Sequence, residues 1–194
     1  LVKLPKQNVD TGMGLERANC ILQGKTSVYL TEVFQPIIKT IEELSKYTYG
    51  TDEEKDKSVR IIADHSRSSV FILGDQRGVT PDRVGAGYVL RRLIRRAVRH
   101  GMKLGIEESF LAKIAATVVA NFKIAYPELE QNSEKIYKEL TAEEEKFRKT
   151  LLKGEAEFQK LLPNLMKNPK KIISGKVAYN LYETYGFPLE LTQE

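Results

Sequence analysis

A dense cluster of arginines lies between residues 88 and 101. Five Arg side chains occur within nine positions of this segment, which contains no Asp or Glu. At about 100° per residue, a helix would place all five on one face and apolar side chains such as Leu90 and Ile94 on the other. Guanidinium groups suit bidentate hydrogen bonds to phosphates and base edges, so the pattern indicates a face that binds nucleic acid. This arginine face consists of Arg91, Arg92, Arg95, Arg96 and Arg99.

The arginine face also has a simpler interpretation. Like charges at i, i+4 cost about 0.2–0.5 kcal/mol per pair, so the face requires anions from a ligand or from the protein itself. Glu143, Glu144 and Glu145 are candidates to neutralise it from a later helix, which would make the protein a structural helical scaffold. Five phosphate contacts would instead give log K a slope of roughly −3.5 to −4.5 against log salt. The sequence leaves both interpretations open.

A second segment with chemical potential runs from residue 8 to residue 17 and has the sequence Asn-Val-Asp-Thr-Gly-Met-Gly-Leu-Glu-Arg. Gly12 and Gly14 allow a ligand to approach the backbone closely. Arg17 follows at the start of a predicted helix, where its guanidinium would lie beside a phosphate. The pattern indicates a nucleotide site.

These side chains must be positioned by helices, because helical spacing of apolar residues dominates the chain. Thr31 and Thr51 are expected to cap two of the helices, and Gly101 and Pro163 to end two others. Residues 1–11 are predicted to be extended, and a single strand would need a sheet outside this chain to pair with. The predicted helices are a short one from Leu15 that stops at Gly24, then 32–46, 52–73, 88–100, 106–122, 133–162 and 174–185.

Composition excludes several classes of protein. The chain has 194 residues, 41% apolar and 29% charged, with no Trp, two His and one Cys. Disulfide-built and collagen-like folds are excluded, and neither a Cys/His metal site nor a membrane span of roughly 20 apolar residues is expected. Cys20 favours a reducing, cytoplasmic location. The net charge of +5 is concentrated in residues 60–99, which hold nine Arg, no Lys and three Asp.

The segment 8–17 resembles motif 3 of class II aminoacyl-tRNA synthetases, in the form found in the alanyl-tRNA synthetase family. Ile-Ala-Asp-His at 62–65, the arginine segment 87–101, and Leu-Tyr-Glu-Thr-Tyr-Gly-Phe-Pro at 181–188 occur in the same order in that family. The resemblance implies a mainly α fold in two parts. Residues 1–24 would be a strand-turn-helix remnant of the antiparallel-sheet catalytic domain, and residues 25–194 a helical, bundle-like domain that recognises the tRNA acceptor stem.

The resemblance also implies roles at the start of the chain. Arg17 would be a catalytic residue that contacts the ATP phosphates, Gly12 and Gly14 would form the floor beneath the nucleotide, and Asp10 would receive the amino group of alanine. The chemistry fits, since a carboxylate suits an ammonium group, although Asp10 could instead cap the turn before Gly12. The full enzyme would use ATP with Mg²⁺. Motifs 1 and 2 of such enzymes precede residue 1, so this piece alone is expected to be inactive.

In the helical part, the family reads a G·U wobble pair of the acceptor stem with an Asn and an Asp. Their positions correspond to Arg83 and Glu183, which both depart from the pattern. Arg only donates hydrogen bonds, whereas Asn donates and accepts, so backbone affinity should persist better than base discrimination. A non-catalytic RNA-binding or scaffold module derived from a synthetase is the alternative. The predicted tRNA-binding residues are Arg83, Tyr88, Arg91, Arg92, Arg95, Arg96, Arg99 and Glu183.

Overall fold

The computed structural model describes residue 6 and residues 12–167, 172–185, 187 and 189–193. Secondary structure in these ranges is helical and contains no strand, which confirms the mainly α class. The strand predicted over residues 1–11 lies outside the described residues, apart from Lys6. The helices in the described ranges are α1 (Leu15–Leu22), α2 (Gln35–Ser45), α3 (Glu53–Gly74), α4 (Gly85–Lys103), α5 (Leu111–Phe122), α6 (Pro127–Gln131), α7 (Ser133–Lys167), α8 (Gly175–Tyr185) and α9 (Leu189–Gln193).

The helices α2 to α7 pack around one apolar core, and α8 lies against α7. Helices α3 and α4 form the most extensive contact in the molecule. Ser58 near the start of α3 meets His100 near the end of α4, with 3.0 Å between Oγ and Nδ1, so the two helices are antiparallel. Fully buried side chains of the core include Ile62, Leu73, Leu90, Ile94, Ile114 and Phe147.

Two helices begin with different caps from those predicted. Thr31 is fully buried and its hydroxyl donates to the Val28 carbonyl at 2.6 Å, so it ends the 3₁₀ turn Val28–Leu30 rather than capping a helix. Helix α2 starts later, with Pro36 in its first turn, where a missing N–H is tolerated. Helix α3 is capped by Asp52, whose carboxylate accepts from two backbone N–H groups, while Thr51 bonds the carbonyl of Thr48.

Helix α4 is longer than predicted at both ends. Gly101 does not end it but lies within its last turn, where a Cβ would come within 2.3 Å of the Phe110 ring. The glycine therefore serves close packing, and the chain leaves the helix after Leu104, through Gly105 at φ +82°.

Helix α7 continues past Pro163 to Lys167, so the predicted stop at this proline is wrong. Proline removes one backbone hydrogen bond of the helix. The turns before it are held by packing, because Phe158 and Leu161 lie against the core and Phe158 stacks on Phe187 with ring centroids 5.7 Å apart.

No helix in the described ranges combines the length and apolar character needed to cross a membrane.

Candidate nucleic-acid interface

A cleft of about 1730 Å³ runs along α4, with side chains of α3 on one wall and of α8 on the other. It brings together all eight side chains predicted to bind tRNA. They come from three separate parts of the chain: the loop before α4, α4 itself, and α8. The arginine face is thus turned toward open space rather than into the core.

The opposite face of α4 explains this orientation. Leu90, Ile94, Ala97 and Val98 are at most 1% exposed and pack in the core, so the arginines must point the other way. The 100° spacing also places Val89 on the apolar side of α4, but its side chain is 56% exposed. It lies at the border of the apolar arc, where the neighbouring helices do not reach it.

Two of the five arginines are neutralised within the protein. The carboxylate of Glu143 accepts hydrogen bonds from Nε of Arg95 at 2.6 Å and from Nε of Arg91 at 3.2 Å. Glu143 is only 7% exposed, and the guanidinium of Arg95 also lies over the Phe147 ring, 5.0 Å from its centroid. The alternative of internal pairing is therefore confirmed for Arg91 and Arg95.

The neighbouring glutamates do not extend this neutralisation. Glu144 is fully buried and accepts from the backbone N–H groups of Phe110 and Leu111 and from Nε of Arg148. These bonds cap the start of α5, and burial raises the pKa of Glu144. Glu145 is exposed. One carboxylate, not three, faces the arginines of α4.

Arg92 and Arg96 remain open to an external anion. Both are exposed, and neither forms an ion pair with another described residue. Arg92 lies over the Tyr88 ring at 5.9 Å from its centroid, a contact that leaves the guanidinium edge free to donate. The guanidiniums of Arg92 and Arg96 are therefore accessible to an anion in the cleft.

The α8 side of the cleft is aromatic. The hydroxyls of Tyr88 and Tyr182 are 3.5 Å apart and join α4 to α8 across the opening. Tyr179 donates to Oε1 of Glu183 at 2.9 Å, which orients that carboxylate at the rim. Hydrogen bonding to Tyr88 raises the pKa of Tyr182, and the bond to Glu183 raises the pKa of Tyr179.

A folded-back loop presents Arg83 at the same rim. A Cβ on Gly87 would lie 2.6 Å from the Thr80 carbonyl oxygen and 2.7 Å from Cβ of Asp82, so this glycine permits the loop to close on the start of α4. The Arg83 backbone N–H donates to the Asp82 carboxylate at 2.6 Å, while its side chain is exposed. The loop thus leaves the Arg83 guanidinium available.

The predicted nucleotide segment lies apart from this cleft. Gly12, Gly14 and Arg17 are exposed and do not line it, and Asp10 lies outside the described residues. Glu16 is bonded by Arg67 of α3 at 2.6 Å, and this bond is the main cause of its lowered pKa. The described residues contain no group of three His, Cys, Asp or Glu side chains that could hold a metal ion.

Comparison with known proteins places these features in a family. The family described as tRNA synthetases class II (A) matches residues 1–194. The chain belongs to this family.

Curated proteins similar to this chain include several that are named alanine–tRNA ligase. The chain is 62% identical to that of Treponema denticola over 191 residues, which are 98% of this chain and 32% of the relative. It is 51% identical to that of Treponema pallidum, again over 98% of this chain and 32% of the relative. For Caldicellulosiruptor saccharolyticus the values are 46%, 99% and 22%. The chain therefore spans about a third or less of the length of these relatives.

In this synthetase-family chain, the sequence alone did not reveal several contributors to the cleft. Phe147, beneath Arg95, was visible only as a member of the α7 apolar stripe. Lys57 and Lys103 line the cleft but lie outside the arginine-rich window, and no local pattern distinguishes them from other surface lysines. Arg67 lies in the arginine-rich window but does not line the cleft; it bonds Glu16 and lies over Phe34 at 4.8 Å from the ring centroid.

Proposed function

We propose that this chain is the part of an alanine–tRNA ligase that binds the tRNA acceptor stem. The observation that carries the proposal is the pair of exposed guanidiniums of Arg92 and Arg96 in an open cleft, neither of which forms an ion pair with another described residue. Two arginines at i and i+4 repel each other and destabilise the helix. A polyanionic ligand would supply the negative charge that the fold does not provide.

The charge of the cleft supports a phosphate backbone as the ligand. Its lining contains nine Lys or Arg side chains and two Glu. Each phosphate neutralised by such a cation releases counterions, which favours binding independently of base sequence. The backbone contacts are expected mainly from Arg92 and Arg96, because Arg91 and Arg95 are already bonded to Glu143.

The rim residues Arg83 and Glu183 are proposed to contact base edges. Glu183 accepts hydrogen bonds and is oriented by Tyr179, so it suits the amino group of a base. Arg83 offers donors only, which suits an acceptor on a base. Since both differ from the Asn and Asp that the resemblance implies, we expect an altered response to the G·U wobble pair.

The ligase reaction of the whole protein is part of the proposal. Alanine and ATP would form alanyl-adenylate and pyrophosphate, and the alanyl group would then pass to the terminal ribose of the tRNA. Arg17 would contact the ATP phosphates and Asp10 the alanine ammonium group. The described residues leave room for a nucleotide, which supports this assignment, because nothing lies within 4 Å of a Cβ on Gly12 and Arg17 is exposed. We assign no magnesium ligand among them.

A non-catalytic RNA-binding module derived from a synthetase is the second candidate. It is favoured by Arg83 and Glu183, which depart from the family pattern at the two positions implied in base recognition. A chimera distinguishes it from the ligase: this chain replaces the corresponding segment of the Treponema denticola relative. Alanine-dependent ATP–pyrophosphate exchange, abolished by Arg17→Ala but retained by Lys39→Ala, would support the ligase. A folded chimera without exchange would support the binding module.

The acceptor-stem proposal is tested by titrating this chain with two RNA duplexes that carry a G·U or a G·C pair at the same position. We expect salt-dependent binding of both duplexes, little discrimination by the parent, and recovered discrimination in Arg83→Asn. Equal discrimination in parent and variant would show that Arg83 does not occupy the base-reading position. Absence of salt-dependent binding would refute the cleft as an RNA site.

A further inference from the structure

The cleft continues beyond the arginine face to the start of α3. Lys55, Lys57 and Ser58 line this end, opposite Lys103 at the end of α4. Arg92 and Lys103 are 11 positions apart in the helix, which corresponds to about 16 Å along its axis. This length exceeds what a single phosphate group would occupy, so the two ends of the cleft would contact different parts of a strand.

The acidic residues near Lys57 are largely engaged elsewhere. Glu53 is paired with Arg60, and the Asp56 carboxylate is buried and accepts from the Tyr47 hydroxyl and the Gly50 N–H, each at 2.7 Å. Glu54, one turn before Lys57, is the remaining acid on this wall. Lys57 itself is exposed and forms no ion pair with another described residue.

The surroundings of His100 include several positively charged side chains. Its pKa is lowered to about 4, first by burial and then by Lys103, Arg96, Arg99 and His65. The imidazole is therefore neutral at pH 7 and adds no charge. Its Nδ1 contacts the Ser58 hydroxyl at 3.0 Å, which fixes the wall that carries Lys57 against α4.

We infer that the Lys57 end of the cleft is a second phosphate-binding subsite for the same RNA strand that the arginine face contacts. The inference rests on the proposed function and adds Lys57, with Lys103 across the cleft, to the RNA-binding surface. A lysine ammonium is a point charge without the planar fork of arginine, so this subsite would add affinity without base preference.

The test measures RNA binding against salt concentration for the parent, Lys57→Ala, Lys57→Glu and two controls. Arg92→Ala tests the arginine face, and Lys39→Ala is a matched control, since Lys39 is an exposed helical lysine that does not line the cleft. Lys57→Ala should reduce the magnitude of the negative slope of log K against log salt by about 0.7–0.9. Lys57→Glu should reduce this magnitude further, and Lys39→Ala should leave it unchanged. Thermal unfolding checks that all variants fold.

RNA length gives an independent readout. Two duplexes, each shortened by roughly five base pairs at a different end, remove about the length that separates the two ends of the cleft. Only one of the two shortened duplexes should lose the contact with Lys57. With that duplex, Lys57→Ala should no longer weaken binding, whereas Arg92→Ala should still weaken it. If Arg92→Ala weakens binding while Lys57→Ala behaves as Lys39→Ala, the subsite is refuted and the proposed function stands. If the parent binds no duplex, the proposed function fails first.

Discussion

At the scale of single residues, the five arginines of α4 differ in what they can do. Arg91 and Arg95 share the buried carboxylate of Glu143, whereas Arg92 and Arg96 are exposed without an ion pair among the described residues. A charge that already has a buried partner gains less from a phosphate than an unpartnered one. The arginine face is therefore divided into arginines that support the fold and arginines available to a ligand.

Replacing Arg92 and Arg91 separately tests this division. Arg92→Ala should reduce the magnitude of the negative slope of log K against log salt by about 0.7–0.9. It should leave the free energy of unfolding nearly unchanged. Arg91→Ala should change the slope less and lower the stability, because Glu143 then loses a hydrogen-bond donor. Binding titrations at several salt concentrations and urea unfolding measure the two effects. Equal slopes for both variants would contradict the division.

Glu143 is expected to stabilise the fold and to limit the binding of phosphates by Arg91 and Arg95. Glu143→Ala leaves Arg91 and Arg95 without their buried partner and should lower the free energy of unfolding by about 1–3 kcal/mol. Glu143→Gln keeps an acceptor oxygen and should lower it less. In both variants Arg91 and Arg95 lose the negative charge of Glu143. Non-specific RNA binding should therefore become stronger, and log K should fall more steeply with log salt. Glu145→Gln is the matched control, because Glu145 is exposed; a similar loss of stability in this control would argue against the role of Glu143.

At the scale of helices, the cleft depends on close contacts at glycine. Gly87 lets the Arg83 loop fold onto α4, and Gly101 lets Phe110 pack against the end of α4. Gly154 of α7 accepts the ring of Phe187, to which a Cβ would come within 2.7 Å. Phe187 also donates its N–H to the Leu181 carbonyl, so this contact sets the position of α8 and its tyrosines.

Gly101→Ala tests whether packing or helix propensity decides at this position. Alanine favours a helix by up to about 1 kcal/mol, but its methyl group would lie 2.3 Å from two Phe110 ring atoms. Overpacking of this kind costs about 1–3 kcal/mol, so a net loss of stability is expected. Gly175→Ala has nothing within 4 Å of the new Cβ and should be neutral or stabilising. Urea unfolding compares them, and a stabilised Gly101→Ala would show that Phe110 moves aside easily.

At the scale of the whole molecule, the positive charge of the cleft depends on where the acidic side chains lie. Glu143 and Glu144 are buried and bonded to partners inside the fold, which removes them from the surface. The cleft therefore keeps an excess of positive charge although the net charge of the chain is only +5. His100 lies half-buried in this positive region, and its titration makes the stability of the fold depend on pH.

The sign of this dependence follows from the lowered pKa of His100. Its folded pKa is about 4, below the ordinary value of 6.5, so between these values the unfolded chain binds the proton and the folded chain does not. The free energy of unfolding should fall as pH decreases from about 6.5 to about 4. In His100→Gln this part of the dependence should disappear. Urea unfolding at several pH values measures it, and parallel pH profiles for parent and variant would exclude the effect.

The helical class and the arginine face followed from the sequence, because both depend on local periodicity. Apolar residues at helical spacing determine which side of α4 is buried. They therefore also determine the side of the helix on which the five arginines lie. The resemblance of segments 8–17, 87–101 and 181–188 likewise identified the family, which the match over residues 1–194 confirms. The roles assigned to Asp10 and Arg17, and the division of the chain at residue 24, stay predictions.

Only the tertiary structure decided which arginines have partners and where three distant segments meet. Glu143, Glu144 and Glu145 are identical side chains in a row, and the 100° step of α7 turns one to α4, one to α5 and one to solvent. Likewise, the sequence alone does not show that Gly101 lies inside α4 and packs against Phe110, which lies elsewhere in the chain. Local sequence fixes the face of each helix, but the contacts between helices fix which charges remain for a ligand.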